Sequence, residues 1–303
     1  MSEKYVNANG IRLAYEEFGD PANPALVLMM GLGTQLIGWP IALCEGLADR
    51  GFRVIRFDNR DIGLSEKFEN AHIPQAATLM LRSKLRLPLK VPYTLDDMAK
   101  DCVGLLDALH IGRAHLVGAS MGGMIGQIVA ARFGERLHSF TSIMSTSGNP
   151  KVPMARADVV MAMVKRSLGL EKITLESTMA YWRKIGSPGY QPTDKELKKK
   201  ILDSYYRSNY PQGYSRHMAA VLASGSRVRL LKQITTPTLV IHGRDDALVS
   251  VEGGIDTARN VHGARLEIFD GMGHDLPRGL LPDFIELIAR HAHDSQQKAP
   301  QAA

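Results

Sequence analysis

Three short stretches of the 303-residue chain hold residue types that could do nucleophilic chemistry together. The first, GASMG at 118–122, fits the G-x-S-x-G turn that presents a serine between a strand and a helix. The second, HGRDDALVS at 242–250, offers two carboxylates, Asp245 and Asp246. The third, DGMGHDLP at 270–277, offers His274. A serine hydroxyl is a poor nucleophile until a base removes its proton, and that base must itself be oriented by a third group. Ser120, an aspartate and His274 follow one another in the chain order that accompanies this kind of turn. The glycines crowded around the serine fit the same reading. Side chains at Gly118 and Gly122 would collide with the neighbouring strand and helix, and Gly123 and Gly126 let that helix lie close on a sheet.

Acyl transfer also needs hydrogen-bond donors for the developing oxyanion. The backbone N–H after the nucleophile belongs to Met121, and Leu32 is the expected second donor, in the loop GLGTQLIGWP that follows the apolar run ALVLMM. The remaining histidines fit less well. His110, His115, His138 and His262 flank strand starts, the wrong end of a sheet for a site, and His291 and His293 close the last helix. The loop STSGNP after the strand at 137–145 has no carboxylate, so the acid is sought at 245–246.

The elements that must position these groups are readable as apolar runs. ALVLMM (25–30), FRVIRFD (52–58) and AHLVGAS (114–120) read as strands buried on both faces, and LHSFTSIMS (137–145), TPTLVIHG (236–243) and ARLEIFDG (264–271) add three more strands. KYVNA and IRLAYEEFG flank Asn9-Gly10, a hairpin turn signal. TLDDMAKDCVGLLDALHIG is an amphipathic helix, with Thr94 as its N-cap and Gly112 as its stop. Strands alternating with helices predict an α/β fold with a mostly parallel sheet covered on both faces. From 149 to 230 the pattern is helical only, which predicts a helical cap inserted between a first core part (1–148) and a second (231–293). The polar tail, 294–303, is expected to be disordered.

Composition narrows the partners. The formal charge is +6, but Lys and Arg are spread along the chain rather than gathered in a tract, which argues against nucleic acid as a partner. The N-terminus lacks the apolar core of a signal peptide, and no stretch approaches the length of a membrane span, so a cytoplasmic location is expected. Cys44 and Cys102 lie in apolar helical patterns and read as buried free thiols. The segment 79–93, where Arg82, Lys84, Arg86 and Lys90 alternate with leucines, reads as a packed surface loop, with a loop that gates or lines the active-site mouth, or contact to an anionic membrane, as its alternatives.

The motifs MGLG at 30–33, FDNRDIGLS at 57–65, GASMGG at 118–123, HGRDDALV at 242–249 and GMGHDLP at 271–277 together resemble the α/β-hydrolase fold over residues 1 to about 293. MGLGTQLIGWP with GMGHDLP is similar to the aclacinomycin methylesterase-like branch, whose members hydrolyse carboxylic esters. The resemblance implies Ser120, Asp246 and His274 as the catalytic residues, Leu32 and Met121 as oxyanion donors, and no metal or organic cofactor. Asp246 is preferred to Asp245 because it directly precedes ALV; Asp245, beside Arg244, can stay solvated or brace its loop. One departure stands out: Met30 occupies the place where most members of the fold have a histidine, so the oxyanion loop must be held in another way. A serine at 120 also excludes the dehalogenases and epoxide hydrolases of this fold, which use an aspartate there.

The expected activity is that of a carboxylesterase or lipase-like serine hydrolase. The cap residues Met154, Met161, Met163, Met179, Tyr181, Trp182, Tyr205, Tyr206, Tyr210 and Tyr214 favour a small ester with an apolar acyl or aromatic group. Alternatives with the same residues are carbon–carbon bond hydrolysis of a diketone, cofactor-free perhydrolysis, and a receptor that binds without turnover. The sequence sets no oligomeric state.

Overall fold

A computed structural model describes residues 3–72, 78–79, 82, 87, 89–153, 155–167 and 172–297. The strands are β1 (Lys4–Ala8), β2 (Ile11–Phe18), β3 (Ala25–Met29), β4 (Arg53–Phe57), β5 (Ala114–Ala119), β6 (Leu137–Ile143), β7 (Thr238–Gly243) and β8 (Arg265–Phe269). They form one sheet in the order β1-β2-β4-β3-β5-β6-β7-β8. The β1–β2 and β2–β4 pairs are antiparallel; the other five are parallel. Asn9 and Gly10 both take positive φ, 50° and 78°, the geometry of the two-residue turn their types predict.

The helices are α1 (Ile41–Ala48), α2 (Leu95–Ala108), α3 (Met121–Arg132), α4 (Ala157–Ser167), α5 (Leu175–Ile185), α6 (Asp194–Arg207), α7 (Pro211–Ser224), the short α8 (Val228–Leu231), α9 (Val251–Asn260) and α10 (Leu281–Gln297). The side-chain period of two along each strand splits the core. Val27 and Met29 of β3 join α2 and α3 on one face of the sheet. Leu26 and Leu28 join α1 and α10 on the other. Cys102 lies in the first cluster and Cys44 in the second, and burial pushes both thiols up to about 12.

Local details depart from the sequence reading in two places. α2 opens on a reciprocal Thr94–Asp97 capping box, but it ends at Ala108, and the left-handed residue after it is His110, φ 55°, before Gly112 is reached. The last helix continues past residue 293 to Gln297, with Ala292 and Ser295 buried, so residues 294–297 are helix rather than disordered tail. Of the 79–93 segment, Leu79 and Tyr93 are buried, while Lys84 and Arg86 lie outside the described residues, as does Met154.

Between β6 and β7 the described residues form helices but no strand. These helices meet the loops at the carboxyl ends of the sheet strands. Ile185, at the end of α5, accepts a hydrogen bond from the His274 N–H at 2.7 Å. Gln35, in the loop after β3, donates to the Ser204 and Ser208 carbonyls of α6 and its C-cap at 2.6 and 2.8 Å. Arg216 of α7 pairs with Asp61, in the turn after β4, at 2.7 Å, with the two side chains 1% and 0% exposed. Asp61 also accepts from the Tyr93 hydroxyl and the Phe68 N–H. Removing one partner of a buried pair strands the other charge, so Arg216→Ala should lower unfolding stability by about 3–5 kcal/mol in denaturant titrations. A change under about 1 kcal/mol would mean that the pair does not anchor α7.

Candidate active site

β5 ends at Ala119 and α3 begins at Met121, so Ser120 occupies the corner between them. Its backbone is left-handed, φ 54° and ψ −118°, a conformation that costs a non-glycine residue about 1–3 kcal/mol. The strain is held in place by close packing. A Cβ on Gly122 would lie 2.1 Å from the Met29 carbonyl oxygen, so the first turn of α3 can sit against β3 only with glycine there. The Ser120 N–H is tied to the Ile143 carbonyl at 2.9 Å. The half-buried hydroxyl is therefore fixed at the top of the sheet.

His274 lies in the turn after β8, and its Nε2 is 3.0 Å from Ser120 Oγ. Its Nδ1 is 2.7 Å from Asp246 Oδ2. A carboxylate only accepts, so Nδ1 carries the proton and Nε2 is free to accept from the serine hydroxyl. The other carboxylate oxygen, Asp246 Oδ1, accepts from the Leu248 and Val249 N–H groups at 2.9 and 2.8 Å. Burial pushes the Asp246 carboxyl up, but the electrostatic pull of His274 and hydrogen bonds from His242 and His274 outweigh it and bring it down to about 2. An unfolded aspartate titrates near about 3.9, so this carboxylate's stabilising contribution is complete above that pH and is lost as pH falls through about 2.

Asp245 has a different place. It is exposed, and its Oδ2 accepts from the Gly271 N–H at 2.8 Å, bracing the turn that carries His274. Asp275 braces the same turn from the other side, accepting from the Ser187 N–H and hydroxyl, while Ser187 Oγ accepts from Gly273 N–H. Sequence reasoning missed Ser187 and Asp275, because their partners lie far apart in the chain.

The loop after β3 reaches the serine. A Cβ on Gly31 would lie 2.9 Å from Ser120 Cβ. The next residue is Leu32, and Met121 is the first residue of α3, where a helix leaves its N–H groups without intrahelical acceptors. The chain therefore brings the residue before Leu32 against the serine, and Met121 follows the serine directly. The structure also shows what holds this loop with methionine at position 30. Met30 is buried in the apolar cluster below, and its carbonyl accepts from Asn59 Nδ2 at 2.9 Å. Asp58 Oδ1 accepts from the Leu36 N–H at 2.7 Å, and its Oδ2 accepts from Arg207 at 2.8 Å. The motif FDNRDIGLS therefore supplies the braces, a role that no local pattern announced.

Beside Asp246, Ala247 and Ile185 form an apolar cluster with Val159, against which Met163, Tyr181, Trp182 and Leu248 pack. Met161, Tyr205 and Tyr206 instead face solvent. Among the described residues no group of three His, Cys, Asp or Glu could hold a metal ion, and no helix is long and apolar enough to cross a membrane.

Known proteins share this arrangement of elements. The chain is 28% identical to a rhodomycin D methylesterase of Streptomyces sp. (strain C5), covering 96% of this chain and 98% of that protein. It is 27% identical to a 2-hydroxy-6-oxononadienedioate/2-hydroxy-6-oxononatrienedioate hydrolase of Burkholderia vietnamiensis, covering 90% and 89%. A solved meta-cleavage product hydrolase from Pseudomonas fluorescens superposes with a TM-score of 0.72 at 20% identity, over 96% of this chain and 98% of that one. Residues 24–277 match the family model described as alpha/beta hydrolase fold, and with its eight-stranded, mostly parallel sheet the chain belongs to that family.

Proposed function

We propose that this protein hydrolyses carboxylic esters through an acyl-enzyme on Ser120. The observation that carries the reading is the continuous hydrogen-bonded path from Asp246 through His274 to Ser120 at 2.7 and 3.0 Å. Oγ attacks the ester carbonyl while His274 Nε2 takes its proton. The Leu32 and Met121 amides stabilise the negative oxygen of the tetrahedral intermediate. His274 then returns the proton to the leaving alcohol as the C–O bond breaks, and Asp246 stabilises the imidazolium in between. Water repeats the sequence on the acyl-enzyme, releasing the acid. The chemistry needs no metal or organic cofactor, and the reading includes a cytoplasmic location. The methylesterase relationship over nearly the whole of both chains supports an ester as the substrate class. The apolar surface of Tyr181, Trp182 and Met163 beside the Asp246 loop supports an apolar acyl or aromatic group.

A second reading, carbon–carbon bond hydrolysis of a diketone, is favoured by the Burkholderia relative. Parallel assays separate the two. A short aryl ester should turn over with a kcat/KM at least about 100-fold above that of a vinylogous diketone. Cleavage of the diketone with the ester left intact would overturn the ester reading.

A further inference from the structure

α7 reaches the loop beside Leu32 through a buried side chain that the chemistry above does not use, His217. Its Nδ1 accepts from the Gly33 N–H at 3.3 Å. Its Nε2 lies 2.8 Å from the Arg60 carbonyl oxygen. An amide N–H can only donate and a carbonyl can only accept, so both partners demand one neutral tautomer, with the proton on Nε2. The surroundings keep the ring neutral: desolvation pulls its pKa down to about 4, although the hydrogen bond to the Arg60 carbonyl and the charge of Asp61 oppose this. The charged neighbours are Arg60, Asp61 and Arg216, and the Tyr93 ring meets the imidazole edge-on at 6.3 Å.

The peptide unit before Leu32 is pinned by one bond and the unit after it by two, since the Leu32 carbonyl accepts from the Thr34 hydroxyl at 3.3 Å. The Gly31 carbonyl, in the same peptide plane as the Leu32 N–H, accepts from the Thr34 N–H at 3.2 Å. The Gly33 N–H, in the following plane, is held by His217. We propose that His217 is a positioning residue for the reaction, delivered by the helices above the sheet to hold the Gly33 amide so that the Leu32 N–H stays aimed at the serine. The proposal rests on the roles given to Ser120 and Leu32 above.

Two conservative variants divide the two bonds. In His217→Asn, Oδ1 stands the same number of bonds from Cα as Nδ1 and keeps an acceptor for Gly33. In His217→Gln, the terminal amide stands at the Nε2 position, keeps a donor for Arg60, and leaves Gly33 unheld. The rate constant kinact and the affinity KI for a fluorophosphonate reacting at Ser120 are measured on the full chain, with amide hydrogen exchange at Gly33. For His217→Gln, kinact should fall by about 10- to 100-fold with KI within about 3-fold, and Gly33 should exchange faster. For His217→Asn, kinact should stay within about 5-fold of the parent, with Gly33 still protected. Equal losses in both variants, a change in KI alone, or an unchanged kinact in His217→Gln would each overturn the proposal. If the glutamine variant does not fold, a kinact loss beyond about 10-fold in the asparagine variant overturns it by itself. The phosphonate reads the serine without any ester. A parent enzyme that is labelled but cleaves no ester overturns the ester reading and leaves this proposal standing, whereas a parent that is not labelled at Ser120 overturns both.

Discussion

Ser120→Ala should fold as the parent does and lose about 10⁴-fold or more in kcat/KM on a short aryl ester. The fold should survive because the hydroxyl is half-buried at a corner and its loss opens no core cavity. Alanine also meets the same backbone constraint as serine at φ 54°, so the corner becomes no more strained. On the proposed mechanism the rate should collapse because no covalent intermediate can form, while the proposed oxyanion donors, the Leu32 and Met121 amides, would still polarise a bound carbonyl. That remnant is the source of the residual rate over water. Thermal melting checks the fold and steady-state kinetics the turnover. Near-parent activity in a preparation free of contaminating esterase would place the nucleophile elsewhere.

The second large effect separates two adjacent carboxylates. Asp246→Asn should cost up to about 10⁴-fold in kcat, and Asp245→Asn less than about 10-fold. The direction follows from the donors around Asp246. Leu248 and Val249 both aim N–H groups at Oδ1, so an asparagine places its carbonyl oxygen there. Its NH₂ then faces His274 Nδ1, where a carboxylate oxygen stood at 2.7 Å. Two donors cannot share that contact, so the ring must carry its proton on Nε2, the nitrogen that has to accept from Ser120. At Asp245 an amide oxygen can still accept from the Gly271 N–H, and the bracing bond survives. One aryl ester and both variants decide the matter, and a larger loss at Asp245 would move the acid's role there.

Much of this was legible because the signals are local. Buried parallel strands read as unbroken apolar runs, and β3, β5 and β7 are buried along their whole length. Ser120 is marked by its glycines, the Asp246 loop follows the buried run of β7, and the His274 loop follows the half-buried strand β8. What stayed hidden is what holds one segment to another. Arg216 and His217 read as polar residues on a helix, and nothing nearby in sequence says they are buried. Their partners, Asp61 and Arg60, lie 155 and 157 residues away. The end of α2 was missed for a smaller reason. Glycine is the default left-handed residue, yet a histidine can take that conformation, and His110 does so two positions before the glycine.

The two cysteines turn the sheet's division into something an experimenter can follow. Each thiol is buried in the apolar cluster on its own side, where burial raises its pKa and shields it from reagents while that side stays packed. Alkylation in native buffer therefore requires an opening event, and peptide mapping of the modified chain tells which side opened. Matched labelling rates would identify a single cooperative unit spanning the sheet; unmatched rates would rank the order in which its two sides come apart. The unaltered chain already contains a pair of clocks for its own unfolding.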